Sequence, residues 1–346
     1  MIKRLLTQPL FLIGFLVIVG LVLSSFLYTA IYHNEIPQDR YLYDDNGRIV
    51  DSSPLSPSKE IWFGTDRDGF HMLHKVIIGA KFTILAALGI AFLRVLVAIP
   101  IGMILSSYLT KSRKYINGFV DSFHYIPLSL IAYYILYPVL WMGPAGYQHT
   151  LTERVVIEVV VLTVLTLPIL SVLIGNEGSF IMKKDYIISA QTLGASRWHI
   201  IRKHILPSMK EKFMIMFGQQ VVQVLLIFSH LGLLKLFFGG TVVSYDPLFR
   251  DPPSSSTLEW SGLIGDAQQH LYTAIWIPFT PILFFAITIF AVNLMIEGFT
   301  KVSTGETRSK KKKEKVNHSK NQETDTTDET IHKKSFELEK QQSIAG

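Results

Sequence analysis

The sequence predicts an all-α polytopic membrane protein with six transmembrane helices. Its hydrophobic fraction is 49% and its charged fraction only 17%, whereas a soluble domain carries about 25% charged residues. The charges are clustered and leave long apolar runs between them; residues 10–32, for example, contain no charged side chain. About 20 helical residues cross the ~30 Å hydrocarbon layer of a bilayer. A large soluble core would not require such uninterrupted runs.

Six runs have the length and polarity of membrane-spanning helices. The first exceeds the ~7–15-residue apolar region of a secretory signal peptide and is followed by no clear cleavage site, so it is predicted to be retained. The second is longer than a bilayer requires; part of it is expected to be a tilted or interfacial lead-in, with a break near Pro100. The runs cover residues 10–32, 77–109, 119–142, 155–175, 213–238 and 274–299.

The segments between these runs predict the orientation. Lys and Arg are concentrated in alternate segments, and acidic residues dominate the others. Basic loops of membrane proteins stay in the cytoplasm, so both termini are predicted to be cytoplasmic. The net charge is +6, but it does not indicate nucleic-acid binding. The basic residues flank apolar segments, which is typical of a protein in contact with the lipid bilayer. These basic clusters lie at residues 3–4, 111–114, 183–212 and 301–313.

The predicted organisation has four parts. The tail is polar and low in complexity, so it cannot bury enough surface to offset its ordering entropy and is expected to be disordered. Its lysine run at 310–313 is interpreted as a stop-transfer cluster, with contact to anionic lipid as the alternative. The parts are a first transmembrane helix at 1–33, an extracytoplasmic loop at 34–76, a core of five transmembrane helices at 77–300, and the tail at 301–346.

The sequence contains no motif for catalysis. There is no cysteine, no glycine-rich phosphate loop ending in Lys-Ser/Thr, no dinucleotide-binding glycine motif and no His-Glu-x-x-His. His71 and His74 could share a helical face as metal ligands, but without a nearby third ligand they are more typical of surface histidines. No catalytic, cofactor-binding or metal-binding residue is therefore predicted, and uphill transport would need a partner or an ion gradient.

The cytoplasmic loop 183–207 is too long and too patterned for a simple connector. Asp185 is predicted to cap a short helix, and Gly194 to end it in the left-handed conformation. Ser196 is predicted to cap a second helix, which Pro207 would end. The result is an elbow of two short helices at the membrane surface.

The second helix of this elbow has an apolar stripe. Trp198, Ile201 and Ile205 fall at positions i, i+3 and i+7, which lie on one helical face. Two interpretations remain open from the residues alone. The elbow is either a rigid knob for another protein, or an interfacial helix pair that packs only on lipid and the neighbouring spans.

This segment resembles the cytoplasmic coupling motif of ABC-importer permeases, Glu-Ala-Ala-x3-Gly-x9-Ile-x-Leu-Pro. Gly194 matches the motif glycine, and Ala190 matches the second alanine. Leu206-Pro207 matches the final pair at the correct distance. The similarity therefore rests on the turn glycine and on the spacing to Leu-Pro.

Three positions depart from the general motif. Its glutamate, first alanine and isoleucine are Ile188, Ser189 and His204 here. The dipeptide/oligopeptide/nickel branch of the family itself often has His before Ile-Leu-Pro. Other parts of the loop resemble that branch closely, namely Asp185-Tyr186, residues 193–198 and residues 202–207.

Three further blocks are similar to the same branch, and the resemblance extends in order over about residues 62–300. The first resembles the Leu-Gly-Thr-Asp-x-x-Gly sequence before the second span. The second resembles the Trp-Gly-x-Met-Leu before the last span, and the third the Asn-Leu-Leu-Gly-Asp-Gly ending. In this sequence the first block is Phe63-Gly64-Thr65-Asp66 with Gly69, Gly79 and Lys81, the second is Glu259-Trp260-Ser261-Gly262, and the third is residues 291–298.

The resemblance implies a type I ABC importer permease core with a cytoplasmic coupling helix, in the plasma membrane of a prokaryote. It implies four kinds of contact: a second permease subunit, two ATP-binding subunits, an extracytoplasmic solute-binding protein and the lipid bilayer. The chain itself would be no enzyme, because a partner would hydrolyse ATP, and the solute would be a peptide or a similar small polar molecule. The residues implied in ATPase coupling are Asp185, Tyr186, Ile188, Ser189, Ala190, Gly194, Leu206 and Pro207.

Polar residues within the spans are candidates for the translocation path, because they are costly in lipid. Hydrogen bonding to the partner permease is the alternative role. Arg94, Asp121 and Glu158 are expected near span ends, without a special role. The path candidates are Gln219, Gln220, Gln223 and His230, all in the fifth span.

Two other classes of function remain as alternatives. A secondary transporter would work alone on an ion gradient, and would be expected to show mid-span acids or paired interrupted helices. A membrane scaffold would use the elbow to dock a signalling protein. Co-purification of two ATP-binding subunits and a second permease favours the importer over both.

The predicted orientation can be tested by cysteine labelling in intact cells. Ser52→Cys and Ser254→Cys should react with an impermeant thiol reagent, because both serines lie in predicted outer segments. Ser208→Cys should stay unlabelled, and the absence of native cysteine keeps the background low. Equal labelling of Ser208→Cys from outside would contradict the orientation.

Truncation after Gly305 should leave transport intact. The tail shows neither apolar periodicity nor similarity to the family core, so its removal exposes no packing surface. Insertion and transport of the truncated chain are the measurements. A chain that inserts normally but no longer transports would show that the tail regulates the protein.

Overall fold

The computed structural model describes residues 2–44, 46–109, 113–246 and 251–304. The predicted disordered tail beyond 304 and its lysine run lie outside these residues. The helices are α1 (Ile2–Leu5), α2 (Pro9–Tyr32), α3 (Met72–Ser107), α4 (Arg113–Asp121), α5 (Leu128–Leu140), α6 (Leu151–Met182), α7 (Asp185–Thr192), α8 (Arg197–Ile200), α9 (Leu206–Leu233), α10 (Trp260–Ala267) and α11 (Trp276–Ser303). Two 3₁₀-helices (Ser122–Tyr125 and Gln268–His270) and a π-helix (Ile201–Ile205) complete the helical elements.

Five helices in the described chain are long and apolar enough to cross a membrane: α2, α3, α6, α9 with the turns before it, and α11. The third predicted span, about 119–142, is instead divided among α4, the 3₁₀-helix and α5. Pro127 lacks an N–H and holds Ile126 in an extended conformation, so a helix cannot run through this point. The 13 residues of α5 extend ~20 Å, less than the ~30 Å of a hydrocarbon layer.

Helix α3 does not break at Pro100, and that prediction is wrong. The helix runs for 36 residues with the proline inside it. Membrane helices tolerate an interior proline where neighbouring helices hold both halves. Before Pro100, Arg94 bonds to the carbonyl of Leu162 in α6; after it, Gly102 lies against Ile174 of the same helix.

The long helices form one bundle. α3 lies along α6, α9 packs against α3 and α11, and α2 packs on α11 and α3. The main apolar core lies between α3, α5, α6, α9, α10 and α11. A second apolar cluster joins the ends of α3, α6 and α9 to α7 and the π-helix. The elbow is therefore part of the folded core and not a free appendage.

Two short antiparallel pairs of strands accompany the helices. β1 (Tyr41–Tyr43) pairs with β2 (Ile49–Ser52), with Tyr41 opposite Ser52. β3 (Thr241–Val242) pairs with β4 (Ser254–Ser255). Both belong to the segments predicted to lie outside the membrane, so they leave the all-α class unchanged.

Gly79 permits a close contact between α3 and the segment before α10. A Cβ at this position would lie 2.2 Å from the carbonyl oxygen of Leu258, which no real structure accommodates without a backbone shift. Gly89, on the same helix, has open space around the corresponding position. The two glycines therefore form a natural pair for testing this contact.

Gly79→Ala should destabilise the protein by roughly 1–3 kcal/mol, the usual cost of overpacking. Gly89→Ala is the matched control, and should leave stability unchanged or raise it by up to ~1 kcal/mol because alanine favours helix. Thermal unfolding in detergent would compare the two variants. Equal melting temperatures would show that the Leu258 contact does not constrain the bundle.

Candidate functional site

The elbow, defined here as α7, the turn at Gly194 and α8, has the predicted glycine turn and the predicted serine cap. Gly194 has a φ of +86°, and its N–H donates to the carbonyl of Gln191 at 2.9 Å. Ser196 caps α8 by accepting from the N–H of His199 at 3.3 Å. The predicted cap at Asp185 is wrong, because Asp185 is the first residue of α7 and the cap position belongs to Lys184, which makes no side-chain bond there.

One side of the elbow is anchored in the apolar core. Ile187 of α7 and Ile200 of α8 are completely buried, as is Ile205 of the π-helix. The predicted stripe is wrong at Trp198, whose side chain is 63% exposed. The buried face runs through Ile200, Ile201 and Ile205 instead, because the π-turn changes the helical periodicity on which the stripe was based.

The opposite side of the elbow presents large apolar side chains. Ile188 is 49% exposed and Leu193 is 88% exposed. Tyr186 is also exposed, and its ring lies 6.1 Å from that of His204. Exposed apolar side chains on a rigidly anchored helix are typical of a surface that another protein covers.

The eight residues implied in coupling are not equally accessible. Most of them are exposed along α7 and its turn, whereas Ala190 and Leu206 are half-buried. Leu206 packs at the edge of the second apolar cluster. The exposed members are Asp185, Tyr186, Ile188, Ser189, Gly194 and Pro207.

Pro207 does not end the second helix of the elbow, and this prediction is wrong. α8, the π-helix and α9 form one continuous helix from Arg197 to Leu233. The N–H of Leu206 donates to the carbonyl of Ile201, five residues back. The π-turn thus joins two α-helical segments, and Pro207 lies just after it, at the point where the bonding pattern changes and a missing N–H is accommodated.

A buried arginine lies between three of the long helices. Arg94 of α3 is fully buried; its Nε and Nη2 donate to the carbonyl of Leu162 in α6 at 2.9 and 2.7 Å. Its Nη1 donates to Oε1 of Gln220 at 3.2 Å and to Oε1 of Gln223 at 3.3 Å, both in α9. One guanidinium therefore ties α3 to α6 and α9.

The four path candidates are related in space. Gln219, Gln223 and His230 recur at intervals of four and seven residues, so they share one face of α9. Leu226 lies on the same face; Gln219, Leu226 and His230 are exposed, and Gln223 is partly exposed. Gln220 lies beside this face and turns with Gln223 toward Arg94.

The expectation that Arg94 lies near a span end is wrong, whereas Glu158 does lie near the start of α6. Arg94 lies well inside α3 and bonds to two other helices. Glu158 is buried in the second turn of α6, where it accepts from the N–H of Gly239 at 3.0 Å. A charged residue within an apolar run was the available signal for both. Asp121, the last residue of α4, is exposed.

At the end of the bundle opposite the elbow, Asp66 organises the segment before α3. Its carboxylate accepts from the N–H of Phe70 at 2.8 Å and pairs with Lys75. Gly64 has a φ of +68°, and a Cβ there would lie 2.6 Å from the ring of Trp276. These residues of the Gly-Thr-Asp block therefore form a tight loop against α11.

Glu259 and Trp260 fix the segment before α10. The buried carboxylate of Glu259 accepts from the N–H groups of Ser261 and Gly262, each at 2.7 Å. Burial raises the pKa of Glu259, and the bonds from Ser261 oppose that rise. The indole N–H of Trp260 donates to the carbonyl of Val76 at 2.8 Å. The block therefore joins α10 to α3.

Residues 98–304 match the family described as binding-protein-dependent transport system inner membrane component. The chain belongs to this family. The match includes α6, the elbow, α9 and α11. The elbow and the glutamine face of α9, which carries Gln219, Gln223 and His230, therefore lie within the matched region.

Three relatives place this inner membrane component in the peptide branch of ABC-importer permeases, and confirm the resemblance. The glutathione transport system permease protein GsiD of Pectobacterium atrosepticum is 21% identical over 76% of this chain and 77% of its own. The probable D,D-dipeptide transport system permease protein DdpC of Escherichia coli is 24% identical over 74% and 77%. The peptide transport system permease protein SapC of Haemophilus influenzae is 23% identical over 81% and 86%.

A solved structure of the MetNI methionine ABC transporter, in an inward-facing conformation, also aligns with this chain. It gives a TM-score of 0.49 at 15% identity, and covers 67% of this chain and 97% of that chain.

Proposed function

We propose that this permease forms half of the translocation path of an ATP-driven importer for peptides or a similar small polar solute. A second permease subunit supplies the other half, two ATP-binding subunits hydrolyse ATP, and an extracytoplasmic protein delivers the solute. The names of the relatives support the solute class, since all three are permeases of glutathione, dipeptide or peptide systems.

The two-sided elbow is the observation that carries this proposal. Ile187 is buried in the core, while its neighbour Ile188 and the nearby Leu193 are exposed. Movement of a partner bound to the exposed side is therefore transmitted to a segment that packs against α3, α6 and α9. A shallow hollow beside it, lined by Leu193, Gly194 and His199 among others, supplies further contact surface.

The same interpretation assigns the orientation. The elbow carries the basic residues of the loop 183–212, which favour the cytoplasmic side, where ATP-binding subunits reside. The tight loops at Asp66 and Glu259 then face outside. Coupling is assigned to the residues of α7 and its turn, together with Leu206 and Pro207 at the start of α9.

Gly194→Val should weaken association with the ATP-binding subunits and abolish solute-stimulated ATP hydrolysis. A β-branched residue at a φ of +86° costs roughly 1 kcal/mol or more. The position faces open space, so the change strains the turn without a side-chain clash. The long helices should still insert, because their backbone bonds are internal.

Ile188→Asp should weaken the same association by placing a charge on the exposed apolar side of the elbow. Gln191→Ala, on the exposed surface of α7, is the matched mild control. Co-purification of the ATP-binding subunit and transport in membrane vesicles are the measurements. Wild-type levels of both in Gly194→Val and Ile188→Asp would show that the elbow is not the coupling element.

A further inference from the structure

Arg94 carries a buried positive charge that no acidic residue of the described chain neutralises. The ion pairs formed within residues 2–44, 46–109, 113–246 and 251–304 do not include it. Its partners are three neutral oxygens, on Leu162, Gln220 and Gln223. An unpaired charge within a membrane-spanning bundle is expensive, and such residues are rarely retained without a task.

The guanidinium fixes the direction of both glutamine amides. A guanidinium has only donors, so Gln220 and Gln223 must turn their Oε1 atoms toward Arg94, and their NH₂ groups face the other way. Both side chains are partly exposed. Within the described chain neither NH₂ group donates a hydrogen bond, so α9 presents two outward donors backed by a positive charge.

These donors lie midway along α9. Gln220 is 14 residues from Leu206 and 13 from Leu233, or ~21 and ~20 Å along the axis. Gln223 belongs to the face that also carries Gln219 and His230. A solute that crosses the membrane along this face meets the donors near the middle of its route.

Resting on the proposed function, we propose that Arg94 is a positioning residue that turns Gln220 and Gln223 to donate to oxygen atoms of the passing solute. The donors and the positive potential behind them select solutes with amide carbonyls and a free carboxylate. A short peptide with an unblocked C-terminus has this chemistry. The same peptide with a C-terminal amide lacks the charge and is recognised less well.

The single variants Gln220→Glu and Gln223→Glu distinguish a role in solute recognition from a purely structural contact with Arg94. Each glutamate has the shape of glutamine and still offers an oxygen to Arg94, so a purely structural contact is kept or strengthened. The outward donor, however, is replaced by a carboxylate oxygen, which repels a solute carboxylate.

The complete complex, reconstituted in proteoliposomes with its binding protein, would be given dialanine and dialanine amide. We expect each variant to lower the uptake of dialanine relative to its amide by about tenfold compared with wild type, the factor for one charge-assisted hydrogen bond. The same binding protein serves all variants, so its own preference cancels in this comparison.

Arg94→Lys provides a second readout. Lysine keeps the charge, but a single ammonium lacks the planar fork that holds Leu162 and both glutamines together. The acid-to-amide uptake ratio should fall while the subunits still assemble. A wild-type uptake ratio in Arg94→Lys would overturn the positioning role of Arg94.

Three results distinguish the possible failures. An unchanged ratio in both glutamate variants overturns this inference alone. Loss of the second permease from the purified glutamate variants also overturns it, because the amides would then belong to the subunit interface. A wild-type complex that takes up neither dipeptide contradicts the proposed peptide solute, and the inference falls with it.

Discussion

The bond between the guanidinium of Arg94 and the carbonyl of Leu162 is the interaction on which the arrangement of the bundle depends. Apolar surfaces slide past one another at little cost in lipid, where no hydrophobic force aligns them. A buried guanidinium must keep its acceptors, so it sets the depth of α3 against α6 and α9. The close approach of α3 and α6 depends on glycine: a Cβ at Gly102 would lie 2.5 Å from Ile174.

The two ends of the molecule have different tasks. At one end, Asp66, Glu259 and Trp260 are buried and satisfied by backbone groups or a neighbouring lysine. These three residues, which belong to the blocks that resemble the family, therefore stabilise the loops before α3 and α10. At the other end, Ile188 and Leu193 are exposed and lie outside the apolar cluster that anchors the elbow. The similarity to the family thus combines residues that build the fold with residues available to a partner.

Sequence reasoning succeeded where the determinants are local. Long apolar runs predict the five long helices, and Gly194 followed by Ser196 predicts the turn and the cap of the next helix. Sequence reasoning failed where contacts between residues far apart in the chain determine whether a helix continues. Pro100 and Pro207 were expected to interrupt helices, but contacts with α6 and the π-turn accommodate them. Pro127, which does interrupt the third span, looks no different in sequence.

The candidate site shows the same division. The glutamines of α9 are predictable as candidates because polar residues are conspicuous in an apolar run. Their common partner could not be found from the sequence, since Arg94 precedes Gln220 by 126 residues and Gln223 by 129. Nor does the sequence indicate that the carbonyl acceptor would come from Leu162, an ordinary apolar position of another helix.

The π-turn at Ile201–Ile205 sets the rotational phase between the two ends of a continuous helix of 37 residues. A π-turn holds one more residue than an α-turn, and each helical residue advances the side-chain direction by about 100°. Deleting one residue here, so that the turn becomes α-helical, would swing Trp198 and the rest of α8 by about this angle relative to Gln223. The π-turn therefore fixes the rotation of the elbow about the helix axis relative to the glutamine face, as well as the distance between them.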